Sequence, residues 1–157
     1  MSQNPYSNNV LLNLGIQSLN KMQEVAQQAI LNEDNVLLLS PTGSGKTLAF
    51  LLPIFQLLDE DVKGVQCLIL VPSRELGLQI EQVWKKMGTH YKVNTCYGGH
   101  SIETEFKNLS NPPALLIGTP GRIADHIERG SFATENVKTY VLDEFDKSLQ
   151  LGFHEEM

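Results

Sequence analysis

The octapeptide SPTGSGKT at residues 40–47 has the residue types and the spacing that bind a phosphate chain. Gly43 and Gly45 lack a Cβ atom, so the backbone N–H groups of this loop can turn inward around phosphate oxygens. Lys46 offers an ammonium group to the outer phosphates, and the hydroxyl group of Thr47 can ligate Mg²⁺. The usual pattern begins with glycine, whereas this one begins with serine. The residues predicted to contact the nucleotide are Thr42, Gly43, Ser44, Gly45, Lys46 and Thr47.

A second group of residues that could take part in catalysis is the acidic pair Asp143 and Glu144, which follows an apolar run. A nucleotide hydrolase needs such a pair opposite its phosphate loop: Asp143 would hold Mg²⁺ and Glu144 would orient or deprotonate the attacking water. Taken alone, the pair could equally be the acidic first turn of a helix. Together with the loop it predicts Lys46, Asp143 and Glu144 as catalytic residues, and Thr47 and Asp143 as metal ligands.

Alternating strands and helices are needed to position these groups. Apolar runs predict strands near residues 36–39, 66–71, 92–97, 114–118 and 138–142. Helical periodicity predicts helices near residues 22–31, 46–59, 74–88, 102–109 and 120–129. Apolar strands that alternate with helices indicate an α/β fold, a parallel sheet with helices on both faces. In such a sheet ligands bind beyond the carboxyl ends of the strands.

Composition sets limits on the class of protein. A chain of 157 residues makes at most one domain, and a net charge of −6 argues against a broad basic surface. We find no signal peptide and no apolar run of membrane-spanning length, so the expected location is cytoplasmic with no membrane partner. Cys67 and Cys96 fall in predicted strands, where buried free thiols are expected. No Cys/His spacing suggests zinc.

Several motifs together carry a family resemblance. The tetrapeptide DEFD at 143–146 resembles the signature of the DEAD-box ATP-dependent RNA helicases. Further markers of that family's N-terminal RecA-like domain occur in the family's order: a segment similar to its adenine-reading motif at 15–23, PSREL at 72–76, Gly98-Gly99, and TPGR at 119–122. The resemblance spans nearly the whole chain and implies a RecA-like P-loop NTPase fold.

The resemblance also implies how the base of ATP would be held. Gln23 falls on the glutamine that reads the adenine edge, and Tyr6 lies where the family places an aromatic ring that stacks on the base. The family's Pro-Thr is Leu19-Asn20 here, which weakens the case for adenine selection, although Asn20 can still form hydrogen bonds. Phe145 replaces the usual alanine, and we expect it to face the interior or a neighbouring helix.

An RNA path is the third implication of the resemblance. The residues that would line it are Pro72, Arg74, Gly99, Thr119, Gly121 and Arg122. Arginine side chains and helix N-termini can bind phosphate oxygens but carry almost no base information. RNA binding is therefore expected to be largely independent of sequence. As alternatives, TPGR could be a plain helix N-terminus with proline in its first turn, and Arg122 a surface arginine.

The family context further implies a longer protein. Residues 1–157 would be a partial N-terminal domain, incomplete at its C-terminus, with an adenine-reading segment at 1–34 and a P-loop core at 35–157. The second RecA-like domain would supply arginines to the γ-phosphate and complete the RNA channel. A central strand of the sheet would also lie beyond Met157. We therefore expect weak or no ATP hydrolysis from these residues alone.

Two other classes of function remain open on the sequence alone. Another P-loop enzyme, such as a small kinase or a GTPase, would share the loop. A GTPase should carry an Asn-Lys-x-Asp segment after a strand, but the Asn-Lys pair at 20–21 precedes the loop. A non-catalytic nucleotide-binding module would not need Lys46, Asp143 and Glu144. The main hypothesis is the ATP- and RNA-binding half of an ATP-dependent RNA helicase that couples ATP hydrolysis to local strand separation.

Overall fold

The computed structural model describes residues 8–99 and 101–157, which divide into two units. The first unit comprises the described residues up to Leu58 together with Val83–Thr89. The second comprises Asp59–Gln82 and His90–Met157. The boundary between the units falls within one helix.

The first unit is helical. Its helices are α1 (Asn8–Leu14), α2 (Lys21–Asn32), α3 (Lys46–Leu57) and the last residues of α4 (Arg74–Met87). Helices α2 and α3 pack on each other. Trp84 is 1 % exposed and meets the ring of Phe55 edge to face, with ring centroids 6.3 Å apart. This contact joins α3 to the end of α4.

The second unit contains the sheet. Its strands are β1 (Cys67–Leu70), β2 (Val93–Cys96), β3 (Leu115–Gly118) and β4 (Thr139–Leu142). All pairings are parallel and the order is β2-β3-β1-β4. The central strands β1 and β3 are buried throughout, whereas β4 alternates between partly buried and exposed residues. The helices of this unit are α5 (Ile102–Leu109), α6 (Pro120–Glu128), α7 (Phe145–Gln150) and the first part of α4.

The parallel register aligns the ends of all four strands. Leu70 at the end of β1 lies opposite Gly118 of β3 and Leu142 of β4, and Gly118 lies opposite Cys96 of β2. The residues that follow the four strands therefore emerge at one edge of the sheet. A core below that edge is formed by Val65, Leu68, Leu70, Cys96, Leu109, Leu116, Ile123 and Phe132.

The predicted α/β class with a parallel sheet is confirmed, and so are the last four predicted strands and all five predicted helices, to within a few residues at their ends. The strand predicted at 36–39 is wrong: none of the strands assigned in the described residues includes it. Its side chains are largely exposed, with Leu37 at 68 % and Leu39 at 79 %. An apolar segment becomes a strand only when a neighbour pairs with its backbone, and composition cannot supply that neighbour.

Two short helices are absent from the sequence predictions. Helices α1 and α7 have 7 and 6 residues, too few for a clear helical period. Phe145 begins α7 and is 38 % exposed, so it does not face the interior. The other expectation, that it faces a neighbouring helix, stays a prediction. No helix within the described residues is both long enough and apolar enough to cross a membrane.

Candidate functional site

The loop before α3 has the backbone geometry of an anion site. Gly43 and Gly45 adopt φ angles of 81° and 90°, in the left-handed region that favours glycine. Gly45 precedes the first residue of α3, Lys46, so the free N–H groups of the helix start within the loop. The hydroxyl groups of Ser40 and Ser44 are 2.7 Å apart and hold the two ends of the turn together. The arrangement fits a bound phosphate.

Lys46 folds its side chain back over this loop. Its ammonium group donates hydrogen bonds to the carbonyl oxygens of Ser40, at 2.6 Å, and Pro41, at 2.8 Å. An anion that enters the loop offers the ammonium stronger, charged acceptors than these carbonyls. The positive charge of Lys46 is therefore held at the loop.

Gln23 and Asn20 connect helix α2 to the same loop. They form a reciprocal capping box: Gln23 N–H donates to Asn20 Oδ1 at 2.9 Å, and Asn20 N–H donates to Gln23 Oε1 at 3.0 Å. The remaining amide groups reach the loop, with Gln23 Nε2 3.2 Å from the Gly45 oxygen and Asn20 Nδ2 3.1 Å from the Ser44 oxygen. Gln23 is thus buried and supports the loop. Tyr6, the predicted stacking residue, lies outside the described residues.

The remaining predicted site residues follow the four strands of the second unit. Pro72 and Arg74 come after β1, Gly99 after β2, Thr119, Gly121 and Arg122 after β3, and Asp143 and Glu144 after β4. Backbone hydrogen bonds hold the first residue after three of these strands in register with the neighbouring strand. The N–H group of Val71 donates to the Gly118 oxygen, that of Thr119 to the Cys96 oxygen, and that of Asp143 to the Leu70 oxygen. The sheet therefore brings the acidic pair and the candidate RNA contacts to one edge.

Glu144 has an unusual backbone. Its φ of 49° is the one positive value at a described residue other than glycine, and it lies directly before helix α7. Its carboxylate accepts a hydrogen bond from Lys147 Nζ at 2.5 Å. That hydrogen bond, and then the negative charge of Glu144, raise the pKa of Lys147. Strained conformations of this kind are found preferentially at functional sites.

The candidate RNA-contacting residues differ in exposure. Arg74 is exposed at the start of α4, and its guanidinium carbon lies 4.8 Å from the centre of the Tyr97 ring. Thr119 is the residue before α6 and Pro120 is its first residue. The Thr119 oxygen accepts hydrogen bonds from the N–H groups of Arg122 and Ile123, at 3.1 and 3.0 Å. Gly99 is exposed, whereas Pro72 is buried.

Two buried polar residues, Glu105 and His126, were not identified as functional residues from the sequence. Their carboxylate and imidazole groups are 2.7 Å apart, and Arg122 lies 3.5 Å from the same carboxylate oxygen. A signal was present in the sequence: Glu105 lies three residues after Ile102 and four before Leu109, on the apolar stripe of α5. His126 likewise follows Ile123 by three residues on α6.

Comparisons with known proteins give the family and the fold of the chain. Residues 20–157 match the DEAD/DEAH box helicase family. An ATP-dependent RNA helicase CshA from Limosilactobacillus reuteri is 37 % identical over 145 residues, which cover 91 % of this chain and 29 % of that protein. An ATP-dependent RNA helicase DeaD from Escherichia coli K12 is 37 % identical over 150 residues, covering 94 % of this chain and 24 % of that protein.

Solved structures show the same fold. A crystal structure of a DEAD box protein from Methanococcus jannaschii superposes with a TM-score of 0.90 at 34 % identity, covering 99 % of this chain and 43 % of that one. The yeast DEAD-box splicing factor Prp28 gives a TM-score of 0.84 at 32 % identity, covering 94 % and 37 %. The chain spans about a quarter to a third of the length of the curated relatives named above. By the match to residues 20–157 and by its fold, a RecA-like domain, this chain belongs to the DEAD/DEAH box helicase family.

Proposed function

We propose that this chain is the ATP-binding and RNA-binding N-terminal part of an ATP-dependent RNA helicase, which couples ATP hydrolysis to local strand separation. The observation that carries the proposal is the loop at 40–47, where Lys46 lies within hydrogen-bonding distance of the loop carbonyls at the start of α3. The names of the relatives, ATP-dependent RNA helicases, support ATP as the nucleotide.

The residues of the loop and of helix α2 would contact different parts of the nucleotide. The N–H groups of residues 42–45 and the start of α3 would donate to phosphate oxygens, and Lys46 would neutralise charge at the outer phosphates. Gln23 would read the adenine edge, with Tyr6 stacked on the base. Since both amide atoms of Gln23 already have partners, base recognition and the shape of the loop would be linked through this one side chain.

Hydrolysis would depend on the acidic pair. Thr47 and Asp143 would hold Mg²⁺, whose charge would stabilise the transferring phosphoryl group when it is bound. Oxygen donors of this type are the ligands that Mg²⁺ prefers. Glu144 would orient the attacking water and accept its proton. We also propose that a second RecA-like domain is the partner that completes catalysis. Within this chain, the adenine-reading segment would extend over 1–34 and the P-loop core over 35–157.

RNA would bind at the edge where the strands of the second unit end. Arg74 and Arg122 would pair with phosphates, while Pro72 and Thr119 would shape the path. Gly99 and Gly121 would offer backbone N–H groups. With a net charge of −6 the chain has no broad basic surface, so these few donors would supply the affinity. A cytoplasmic location is part of the same proposal.

The test is a change of Lys46→Ala, with ATP binding measured by calorimetry in the full chain. Loss of a charge-assisted contact predicts an affinity about ten to a hundred times weaker. Lys86→Ala is the matched control, because Lys86 is exposed and lies on α4, outside the loop and the adenine-reading segment. Unchanged binding by the Lys46 variant would sink the assignment of the phosphate loop.

A further inference from the structure

A buried ion cluster lies beneath the candidate RNA-binding edge of the second unit. Glu105 is 5 % exposed and His126 is fully buried. Glu105 Oε2 lies 2.7 Å from His126 Nε2, and His126 Nδ1 lies 2.9 Å from the hydroxyl group of Ser131. Because an ionised carboxylate only accepts hydrogen bonds, the imidazole donates its Nε2 proton to Glu105. The cluster thus joins helix α5, helix α6 and the segment after α6.

The carboxylate of Glu105 has partners on both of its oxygens. Oε1 accepts a hydrogen bond from the backbone N–H group of Tyr97 at 3.0 Å, and Oε2 faces both His126 and Arg122 Nε, the latter at 3.5 Å. Burying a carboxylate is costly unless such partners compensate for the lost water. A residue that only filled space on the apolar face of α5 would not need this set of donors.

Two partners of Glu105, Arg122 and Tyr97, lie in or directly before segments proposed to contact RNA. Arg122 lies in TPGR, with 14 % of its side chain exposed. Tyr97 directly precedes Gly98-Gly99, and the guanidinium group of Arg74 lies over its ring. The carboxylate therefore links the segments that follow β2 and β3, and the Tyr97 ring contacts Arg74 in the segment that follows β1.

A metal site is the competing interpretation, since Cys96, Glu105 and His126 place possible ligand atoms within 4.8 Å of one another. Two observations speak against it. The carboxylate and the imidazole already bond to each other and to further partners. The cation of Arg122 lies beside the carboxylate that would have to bind the metal.

We propose that Glu105, oriented by His126, is a positioning residue for RNA binding. It holds Arg122 by its Nε atom, so that the two terminal nitrogens of the guanidinium group can face a phosphate, and it fixes the backbone at Tyr97 where the double-glycine segment begins. The proposal rests on the proposed function, because it takes Arg122 as a phosphate contact.

The experiment measures binding of a fluorescent single-stranded RNA to the full chain by anisotropy, at several salt concentrations. Glu105→Gln keeps the shape and can still accept from the Tyr97 N–H group, but it removes the charge that faces His126 and Arg122. Arg122→Ala and the double variant complete a cycle. Glu103→Gln is the matched control, since Glu103 lies on the same helix and is exposed.

We expect Arg122→Ala to weaken binding about tenfold and to lower the salt slope by about 0.7, the value for one contact to a single strand. Glu105→Gln should weaken binding about three- to tenfold, but should have no further effect once Arg122 is removed. Glu103→Gln should bind like the parent protein. A purely structural role for Glu105 would instead weaken binding equally with or without Arg122.

The RNA path and the positioning role fail separately. If Arg122→Ala binds RNA normally, the proposed RNA path is wrong. If Arg122→Ala weakens binding but Glu105→Gln does not, or if the two losses simply add, the positioning role is wrong. If Glu105→Gln melts below the assay temperature, His126→Gln replaces it in the same cycle, with the same expected result and the same refuting one.

Discussion

The close approach of helix α6 to strand β3 gives a sharp test of the fold. A Cβ atom added at Gly118 would lie 2.5 Å from both Cγ1 and Cδ1 of Ile123 and 2.8 Å from the carbonyl oxygen of Cys96. Ile123 is 2 % exposed, so it has little room to move away, and the carbonyl belongs to a strand of the sheet. Gly118→Ala should therefore force α6 away from the sheet.

Overpacking of this kind costs about 1–3 kcal/mol. For a chain of this size each kcal/mol lowers the melting midpoint by about 2–4 °C, so the expected loss is about 2–12 °C. Thermal unfolding followed by circular dichroism measures it. Gly98→Ala is the control, because an added Cβ there would have no atom within 4 Å, and its stability should stay within about 0.5 kcal/mol of the parent value.

A second substitution separates the two contacts. Ile123→Ala removes both side-chain atoms but leaves the Cys96 oxygen in place, and alone it should cost about 2–5 kcal/mol through the cavity it creates. Combined with Gly118→Ala, it should cost less than the sum of the two single changes, with a part of the penalty remaining. A midpoint for Gly118→Ala equal to that of the parent, or strictly additive losses, would refute the close approach.

Two further predictions concern single groups. Glu144→Gln should preserve ATP binding and stop turnover, since the amide cannot accept the proton of the attacking water; steady-state hydrolysis near the parent rate would remove Glu144 from that role. Burial raises the pKa of both Cys67 and Cys96, the latter to about 12, so neither thiol should react with a thiol reagent at pH 8 until the protein is denatured. Their contribution to stability is complete below the pKa of the unfolded thiols and declines above it. Rapid labelling of the native protein would contradict the burial.

The sequence was a good guide to the sheet where local and tertiary signals agree. Strands β1 and β3 are continuous apolar runs, and both are buried on every residue. The equally apolar segment at 36–39 is not a strand, because pairing depends on a neighbour rather than on composition. The same limit applies to Gln23: its place in the chain indicated a role in base recognition, but only the structure shows its capping box and its bond to Gly45.

The positions of the candidate site residues could be predicted from the sequence, but the orientations of their side chains could not. Parallel strands end at one edge, so a residue that follows a strand is placed there by strand direction alone. The placement of Arg122 and Glu144 at that edge required only that the strands be parallel. Orientation depends on contacts between segments that are distant in sequence, such as the carboxylate of Glu105 against His126, 21 positions away. No local period encodes that pair. A charged residue on the apolar stripe of a helix is nevertheless a detectable conflict, because burial without a partner would be too costly to persist. Such conflicts are where a sequence alone can indicate that an unseen partner exists, although only the structure can identify it.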